Sequence, residues 1–246
     1  MSIKSKNKIR LFVNAVLEPS SRITLPEEAS HYLCNVMRLG AGEVIACFNN
    51  AAGEFDCRIE KAHKKQTEVL VLQRNRKYIP VPDIWVLFAP VKKDKTDFIV
   101  EKSVELGCRL LQPVITERTV VDKIRGERYQ AQAVEAAEQC RRVDLPEIAP
   151  AAPLAEILAH WDCGRTLFFM DETGTGVSAV RAFDERKGCP AALLVGPEGG
   201  FSPSELELLR SLPYARAVSL GPRILRAETA VAAALSVWQS VAGDWQ

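Results

Sequence analysis

The sequence predicts an α/β protein in two parts, a small β-barrel followed by a larger domain built on a parallel sheet. Three observations predict it. Residues 9 to 73 hold five short strand-like runs and one helical segment, the pattern of a small barrel. From Ile84 onward, apolar strands alternate with helices, which argues for a parallel sheet covered on both faces. Between these stretches Arg74, Arg76, Lys77, Pro80 and Pro82 form a polar, proline-bearing hinge, so the domain boundary is placed near residue 80, with domains over 1–80 and 81–246.

In the first part, residues 9–17 and 22–25 read as short strands. Thr24-Leu25-Pro26-Glu27 then opens a helix that puts Tyr32, Leu33, Val36 and Met37 on one face and stops at Gly40. Strands follow at 43–49, 53–60 and 67–73. In the second of these Phe55, Cys57 and Ile59 alternate with Asp56 and Arg58, the period of a half-buried strand. In the second part, strands are expected at 84–89, 109–115, 165–170, 191–195 and 216–220. Helices are expected at about 94–107, 127–141, 153–160, 177–184, 203–211 and 228–241. The last helix is alanine or apolar almost all round, so it is buried on more than one side.

Charge is uneven along the chain. Residues 1–80 carry 13 Lys and Arg against 8 Asp and Glu, whereas residues 81–246 carry 19 against 23. A basic first third suggests a polyanion-binding part joined to a part with another job, and a solvated surface explains the excess about as well. Seven cysteines with no C-x-x-C pair and only three histidines signal neither a disulfide framework nor a zinc site. They read as small buried hydrophobes in a reducing compartment, the cytosol. With no cluster of acidic residues and histidines, no metal is expected. The basic start leads only into the short run 11–17, broken by Asn14 and ended by Glu18-Pro19, which is neither a signal peptide nor a membrane span.

Two glycine-bearing loops organise the second part. Leu193-Leu194-Val195-Gly196-Pro197-Glu198-Gly199-Gly200-Phe201 leaves an apolar strand and enters a helix through Ser202-Pro203-Ser204-Glu205, a capping box with proline at its first helical position. Leu220-Gly221-Pro222-Arg223-Ile224-Leu225-Arg226-Ala227-Glu228-Thr229-Ala230 does the same at the next strand end. In open α/β sheets ligands bind beyond the carboxyl ends of strands. Gly199-Gly200 would let a ligand approach the main chain, and a side chain at Gly199 would block it. A third stretch, Gly174-Thr175-Gly176-Val177-Ser178-Ala179, fits the dinucleotide pattern G-x-G-x-x-A. It lacks an acidic residue at the required distance, and Asp171-Glu172-Thr173 separates it from its strand.

The two glycine loops together resemble the signature of the SPOUT-class (trefoil-knot) RNA methyltransferases, and more narrowly the branch that methylates N3 of a uridine in small-subunit ribosomal RNA. The resemblance extends over nearly the whole chain, through Lys92 to Gly107, Glu135 to Arg141 and His31 to Ile45. One departure is Arg142, where the family more often has a small residue. The resemblance implies a C-terminal SPOUT-like parallel-sheet domain with a trefoil knot and a small N-terminal PUA-like β-barrel that binds RNA. It implies S-adenosyl-L-methionine as cofactor, 16S rRNA within the small ribosomal subunit as substrate, and a homodimer in the cytoplasm, with no membrane. The pocket it implies is formed by Val195, Gly196, Pro197, Glu198, Gly199 and Gly200 from one loop. Leu220, Gly221, Ile224, Leu225, Arg226, Thr229 and Ala230 come from the other, and Met170 and Glu172 from the third segment.

For catalysis the resemblance points to Arg226 and Glu228, two residues apart where the last loop becomes a helix, and to Arg10, reaching the uridine from the other domain. Arg226 would steady the oxyanion of the base as N3 loses its proton, while Glu228 accepts that proton or orients Arg226. Alternatively the two pair with each other and cap the helix. Arg10, Arg38, Lys92 and Lys93 are candidate RNA contacts; for Lys92 and Lys93 a solvated helix cap is an equally open reading, and for Arg38 a plain surface helix is the favoured one. Glu101, Lys102 and Glu105 lie one turn apart in one helix, where i,i+4 pairing is expected. A related enzyme acting on transfer RNA, or a non-catalytic RNA-binding ribosome-assembly factor, are the rival functions.

Overall fold

The computed structural model describes residues 9–120 and 124–245. The basic start over residues 1–8 lies outside the described residues. The chain divides into two compact units, Met1–Pro80 with Ala137–Leu145, and Val81–Ala136 with Pro146–Gln246. The segment 137–145 thus joins the first unit, which a boundary near residue 80 does not anticipate.

The first unit is a curled five-stranded sheet. Its elements are β1 (Arg10–Phe12), β2 (Arg22–Thr24), the short α1 (Glu27–His31), β3 (Val44–Asn49), β4 (Gly53–Lys61) and β5 (Glu68–Arg76). The order is β1-β3-β4-β5-β2, antiparallel except for the β1–β3 pair. Register shifts between β4 and β5 bend the ladder, as bulges do. One face then wraps a core that includes Ile45, Cys47, Phe55, Cys57, Ile59, Val69 and Val71. Gly53 opens β4 at φ +84, where a Cβ would lie 2.3 Å from the Arg76 carbonyl oxygen, so only glycine fits. On the outer face of β4, Arg58 is exposed as expected, but Asp56 is covered and accepts a hydrogen bond from Asn75.

The expected helix after Thr24 is shorter and wound differently. Thr24 ends β2, Pro26 stands at the helix start with no side-chain cap, and beyond His31 the turn widens into a π-helix over Tyr32–Val36. That wider turn breaks the 3.6-residue period. Leu33 is therefore fully buried, while Val36 and Met37, expected on the same face, are exposed.

Arg10 is held by several contacts within the first unit. Its Nε donates to Glu54 Oε2 at 2.7 Å, its Nη1 to the carbonyls of Ala137 and Glu138 at 2.6 and 2.8 Å, and its Nη2 to the Arg142 carbonyl at 2.6 Å. The guanidinium also stacks over Phe48, 4.5 Å from the ring centroid. These carbonyls lie at a helix end and in the turn after it, where the backbone lacks partners of its own. Burial would raise the pKa of Glu54, but hydrogen bonds from Arg76 and Arg10 outweigh it and hold the carboxyl below its usual range. Arg142 is accommodated by Asp144, with Nε to Oδ1 at 2.7 Å, and Arg141 makes the turn at φ 64.

The second unit starts with β6 (Ile84–Phe88), α2 (Lys93–Glu105), β7 (Leu110–Ile115) and α3 (Gly126–Cys140), whose end belongs to the first unit. Then come β8 (Glu147–Ile148), β9 (Ala152–Pro153), α4 (Leu154–Ala159), β10 (Thr166–Met170), β11 (Val177–Ser178) and α5 (Ala179–Asp184). The chain closes with β12 (Ala191–Val195), α6 (Pro203–Ser211), β13 (Ala215–Ser219) and α7 (Ala227–Val241). The sheet is parallel in the order β11-β13-β10-β12-β6-β7-β8, with β9 beside β7. One face packs on Leu154 and Leu158 of α4 and Leu209 of α6. On the other lie α2, α5 and α7, where Phe168, Phe183 and Trp238 interlock with centroids 5.0 to 6.1 Å apart. Lys102 bonds Glu101 at 2.7 Å and Glu105 at 2.9 Å, an i,i+1 and an i,i+3 pair along α2 rather than the i,i+4 pairing expected. Cys47, Cys57 and Cys108 are buried, as expected of small hydrophobes, but Cys163 and Cys189 are exposed.

Strand order fixes where a site can form. The chain lays β12 between β6 and β10, then crosses β10 to add β13 on its far side. The carboxyl ends of β10, β12 and β13 are therefore neighbours, and the three loops that leave them converge at a switch point of the sheet.

Candidate functional site

A cavity of about 620 Å³ opens where those three loops meet, within the size range of small-molecule sites. From β10 come Met170, Asp171, Glu172, Thr173 and Gly174; from β12 come Val195, Gly196, Pro197, Glu198, Gly200 and Phe201. From β13 and the start of α7 come Leu220, Gly221, Pro222, Arg223, Ile224, Leu225, Arg226, Ala227 and Ala230. Lys95 of α2 completes one edge.

The glycines of the β12 loop have separate reasons to be glycine. At Gly196 a Cβ would lie 3.1 Å from the Phe201 ring, so its absence lets that ring pack over the main chain. Gly200 turns left-handed at φ +68, and a Cβ there would meet Glu172 Oε1 at 1.9 Å. Its N–H donates to the Pro197 carbonyl at 2.9 Å, which closes the turn. Gly199, expected to face a ligand, is not on the cavity wall. A Cβ there would meet Arg118 at 3.6 Å, an ordinary contact, because that edge of the loop points outward. The capping box follows as expected: the Ser202 side chain accepts from Glu205 N–H at 3.1 Å and Glu205 Oε2 accepts from Ser202 N–H at 2.8 Å.

The β10 loop is built around a buried carboxylate that sequence reasoning missed. Asp171 Oδ1 accepts the Thr173 N–H at 2.9 Å, and Oδ2 accepts from Thr175 Oγ1 at 2.9 Å and Arg210 Nη2 at 3.0 Å. Burial would raise its pKa, but these bonds outweigh it and hold the group ionised below the usual aspartate range. The signal was present as Asp at a strand end followed two residues later by Thr, the pattern of an Asx turn. The G-x-G-x-x-A stretch has a structural explanation. Gly174 turns at φ +77, and Gly176 lies so close to β13 that a Cβ would be 2.7 Å from the Val218 carbonyl carbon.

At the rim, Arg226 sits at the start of α7, exposed, with no side-chain capping bond and no ion pair among the described residues. It does not pair with Glu228, so the mutual-capping alternative does not hold. Glu228 and Thr229 stand off the cavity: the wall takes Ala227 and Ala230, three residues apart on one helical face, and the two residues between them project elsewhere. Glu228 Oε2 is buried without a hydrogen-bond partner among the described residues. Glu198 pairs with Lys95, the last lysine of the Lys92-Lys93-Asp94-Lys95 run. That pairing, with the charges of Lys95, Lys92 and Arg226, holds the Glu198 carboxyl below its usual range. Lys92 and Lys93 are exposed at the start of α2, and Arg38 is exposed at φ 56 in the first unit.

Among the described residues no group of three or more His, Cys, Asp or Glu side chains could hold a metal ion, and no helix is long and apolar enough to cross a membrane.

Comparison with known proteins agrees with this architecture. The RNA methyltransferase domain model matches residues 77–239, and the RNA methyltransferase PUA domain model matches residues 25–72. The sequence is 29% identical to ribosomal RNA small subunit methyltransferase E of Rickettsia conorii, across 92% of this chain and 93% of the relative. It is 30% identical to the protein of the same name from Buchnera aphidicola subsp. Schizaphis graminum, across 96% and 97%. The crystal structure of a ribosomal RNA small subunit methyltransferase E from Neisseria gonorrhoeae, bound to S-adenosyl methionine, matches with a TM-score of 0.89 at 28% identity, over 98% of this chain and 100% of that one. A methyltransferase of Legionella pneumophila, solved with bound SAM, matches with a TM-score of 0.88 at 31% identity, over 97% and 100%. The chain belongs to the RNA methyltransferase family, with that family's PUA domain ahead of its methyltransferase domain.

Proposed function

We propose that this chain transfers the methyl group of S-adenosyl-L-methionine to N3 of a uridine in 16S ribosomal RNA. The observation that carries the reading is the cavity at the ends of β10, β12 and β13, with an unpaired Arg226 on its rim. The residues present fit such a cofactor. Gly200 supplies a stretch of wall with no side chain, and Met170, Val195, Leu220 and Leu225 supply an apolar lining for a nucleoside. The relatives solved with S-adenosyl methionine support the same choice.

Bound there, the cofactor supplies a methyl group on a positively charged sulfur. The chain's own residues do the rest. The three loops hold the reactants in register, which recovers much of the barrier through proximity and orientation. Uridine N3 attacks only after its imide proton has passed to water at the open mouth of the site, and the charge that develops falls on the carbonyl oxygens of the base; transfer of the methyl group leaves S-adenosylhomocysteine. Arg226, exposed and unpaired, stabilises that charge. Glu228 contributes at the positive end of α7, where a carboxylate is favoured, rather than by touching the base.

RNA capture belongs chiefly to the basic first unit and to exposed Arg38, Lys92 and Lys93, through phosphate contacts. The setting is the cytoplasm, where the subunits are. A second copy completes the molecule by covering the partly exposed small-residue face of α7 formed by Thr229, Ala232, Ala233 and Ser236. Sedimentation at micromolar concentration is expected to give a dimer, and a stable, active monomer would overturn that part.

The substrate is tested by offering the purified chain small ribosomal subunits, free 16S rRNA and transfer RNA from cells lacking the modification. Methyl transfer to the ribosomal substrates and none to transfer RNA is expected. Transfer to transfer RNA alone would overturn the reading.

A further inference from the structure

We infer that Arg118, on the loop after β7, is a positioning residue for this pocket: it locks the peptide between Gly199 and Gly200. The inference rests on the cofactor reading above. Arg118 Nη1 donates to the Gly199 carbonyl at 2.7 Å. Neither Arg118 nor Gly199 lies on the cavity wall, whereas Gly200 does.

A peptide unit with glycine on both sides is the part of a loop most free to rotate, because neither neighbour has a Cβ to restrict it. This one is held at both of its polar atoms. The Gly200 N–H is bonded inward to the Pro197 carbonyl at 2.9 Å, and the Gly199 oxygen is bonded outward to Arg118. Removing the outer bond would let the peptide turn over, break the inner bond, and send Gly200 out of its left-handed conformation at φ +68.

The loop that carries Arg118 is itself fixed to the same segment. The Thr116 N–H donates to Thr119 Oγ1 at 2.9 Å, and the Glu117 N–H donates to Glu205 Oε1 at 2.9 Å. Ser204 Oγ donates to Glu117 Oε1 at 2.8 Å. Since the other oxygen of Glu205 caps Ser202, one buried carboxylate ties the β7 loop to the β12 loop. Hydrogen bonds from Ser204 and then Ser202 hold the Glu117 carboxyl below its usual range, so this link persists at neutral pH. On the neighbouring residue, Lys95 holds the Glu198 side chain. Arg118 is exposed, so its one job visible here is the bond to the Gly199 oxygen.

The test uses calorimetry with S-adenosylhomocysteine, the thermal midpoint of the ligand-free protein, and turnover at saturating S-adenosylmethionine. Arg118→Ala is expected to weaken binding about tenfold, the scale of one lost hydrogen bond to a charged group, with an unchanged midpoint and near-normal turnover at saturation. Arg118→Lys retains most of the affinity. Adding Gly199→Ala to Arg118→Ala restores part of it, because a Cβ at that position restricts the same peptide directly. The inference is overturned if Arg118→Ala binds like the wild type, or if its midpoint falls with its affinity and neither Arg118→Lys nor Gly199→Ala helps. If the wild-type chain does not bind S-adenosylhomocysteine, the cofactor reading fails first and takes this inference with it; wild-type binding with an indifferent Arg118→Ala sinks the inference alone.

Discussion

Gly200→Val loses cofactor binding while the first unit remains folded. The residue sits at φ +68, and forcing a side chain into a left-handed conformation costs roughly 1–2 kcal/mol. A β-branched residue there is a genuine outlier. The first methyl-bearing carbon would also displace the Glu172 carboxylate, and the remainder of the side chain would occupy the wall of the cavity. At about 1.4 kcal/mol per decade, strain alone accounts for about a tenfold loss, and the lost space brings the total to roughly a hundredfold or more. Calorimetry with S-adenosylmethionine measures it. Gly199→Val makes a sharper contrast than it does alone: its Cβ meets only the aliphatic part of Arg118, so it is expected to bind much better than Gly200→Val. Equal affinities in the two variants would mean that the cavity wall has been drawn on the wrong residue.

Arg226→Ala loses turnover by roughly a hundredfold or more, the scale of removing one transition-state donor, and keeps its cofactor affinity. The expectation follows from an exposed guanidinium with no ion pair among the described residues, placed at the first residue before α7 on the rim of the cavity. Glu228→Gln has a smaller effect, since Glu228 does not reach the wall. Single-turnover measurements on small subunits separate the chemical step from binding. Near-normal transfer by Arg226→Ala would leave that residue with only a place at the helix start.

What could be read from the sequence was local. β12 and α6 fall on the residues expected because an apolar run, a glycine turn and the Ser202–Glu205 capping box are all short-range signals. The two glycine loops were legible for the same reason, and most of their residues line the cavity. The misses are of another kind. The π-helical turn at Tyr32–Val36 breaks the period on which the helix was read. Arg10 finds Glu54 44 positions away and its carbonyl partners 127 to 132 positions away, and Arg118 reaches Gly199 across 81 positions. Nothing in the local pattern around either arginine separates a backbone clamp from a substrate contact. Gly199 and Gly200 look alike in sequence, and only the sign of φ and the side on which the loop packs tell them apart.

The central claim is methylation of uridine N3 in 16S rRNA, and mass spectrometry of nucleosides from purified 16S rRNA tests it most directly. Cells lacking this chain are expected to lose one 3-methyluridine, which returns with the wild-type chain and not with Arg226→Ala. A 16S rRNA whose 3-methyluridine content is unchanged without the chain would contradict the account.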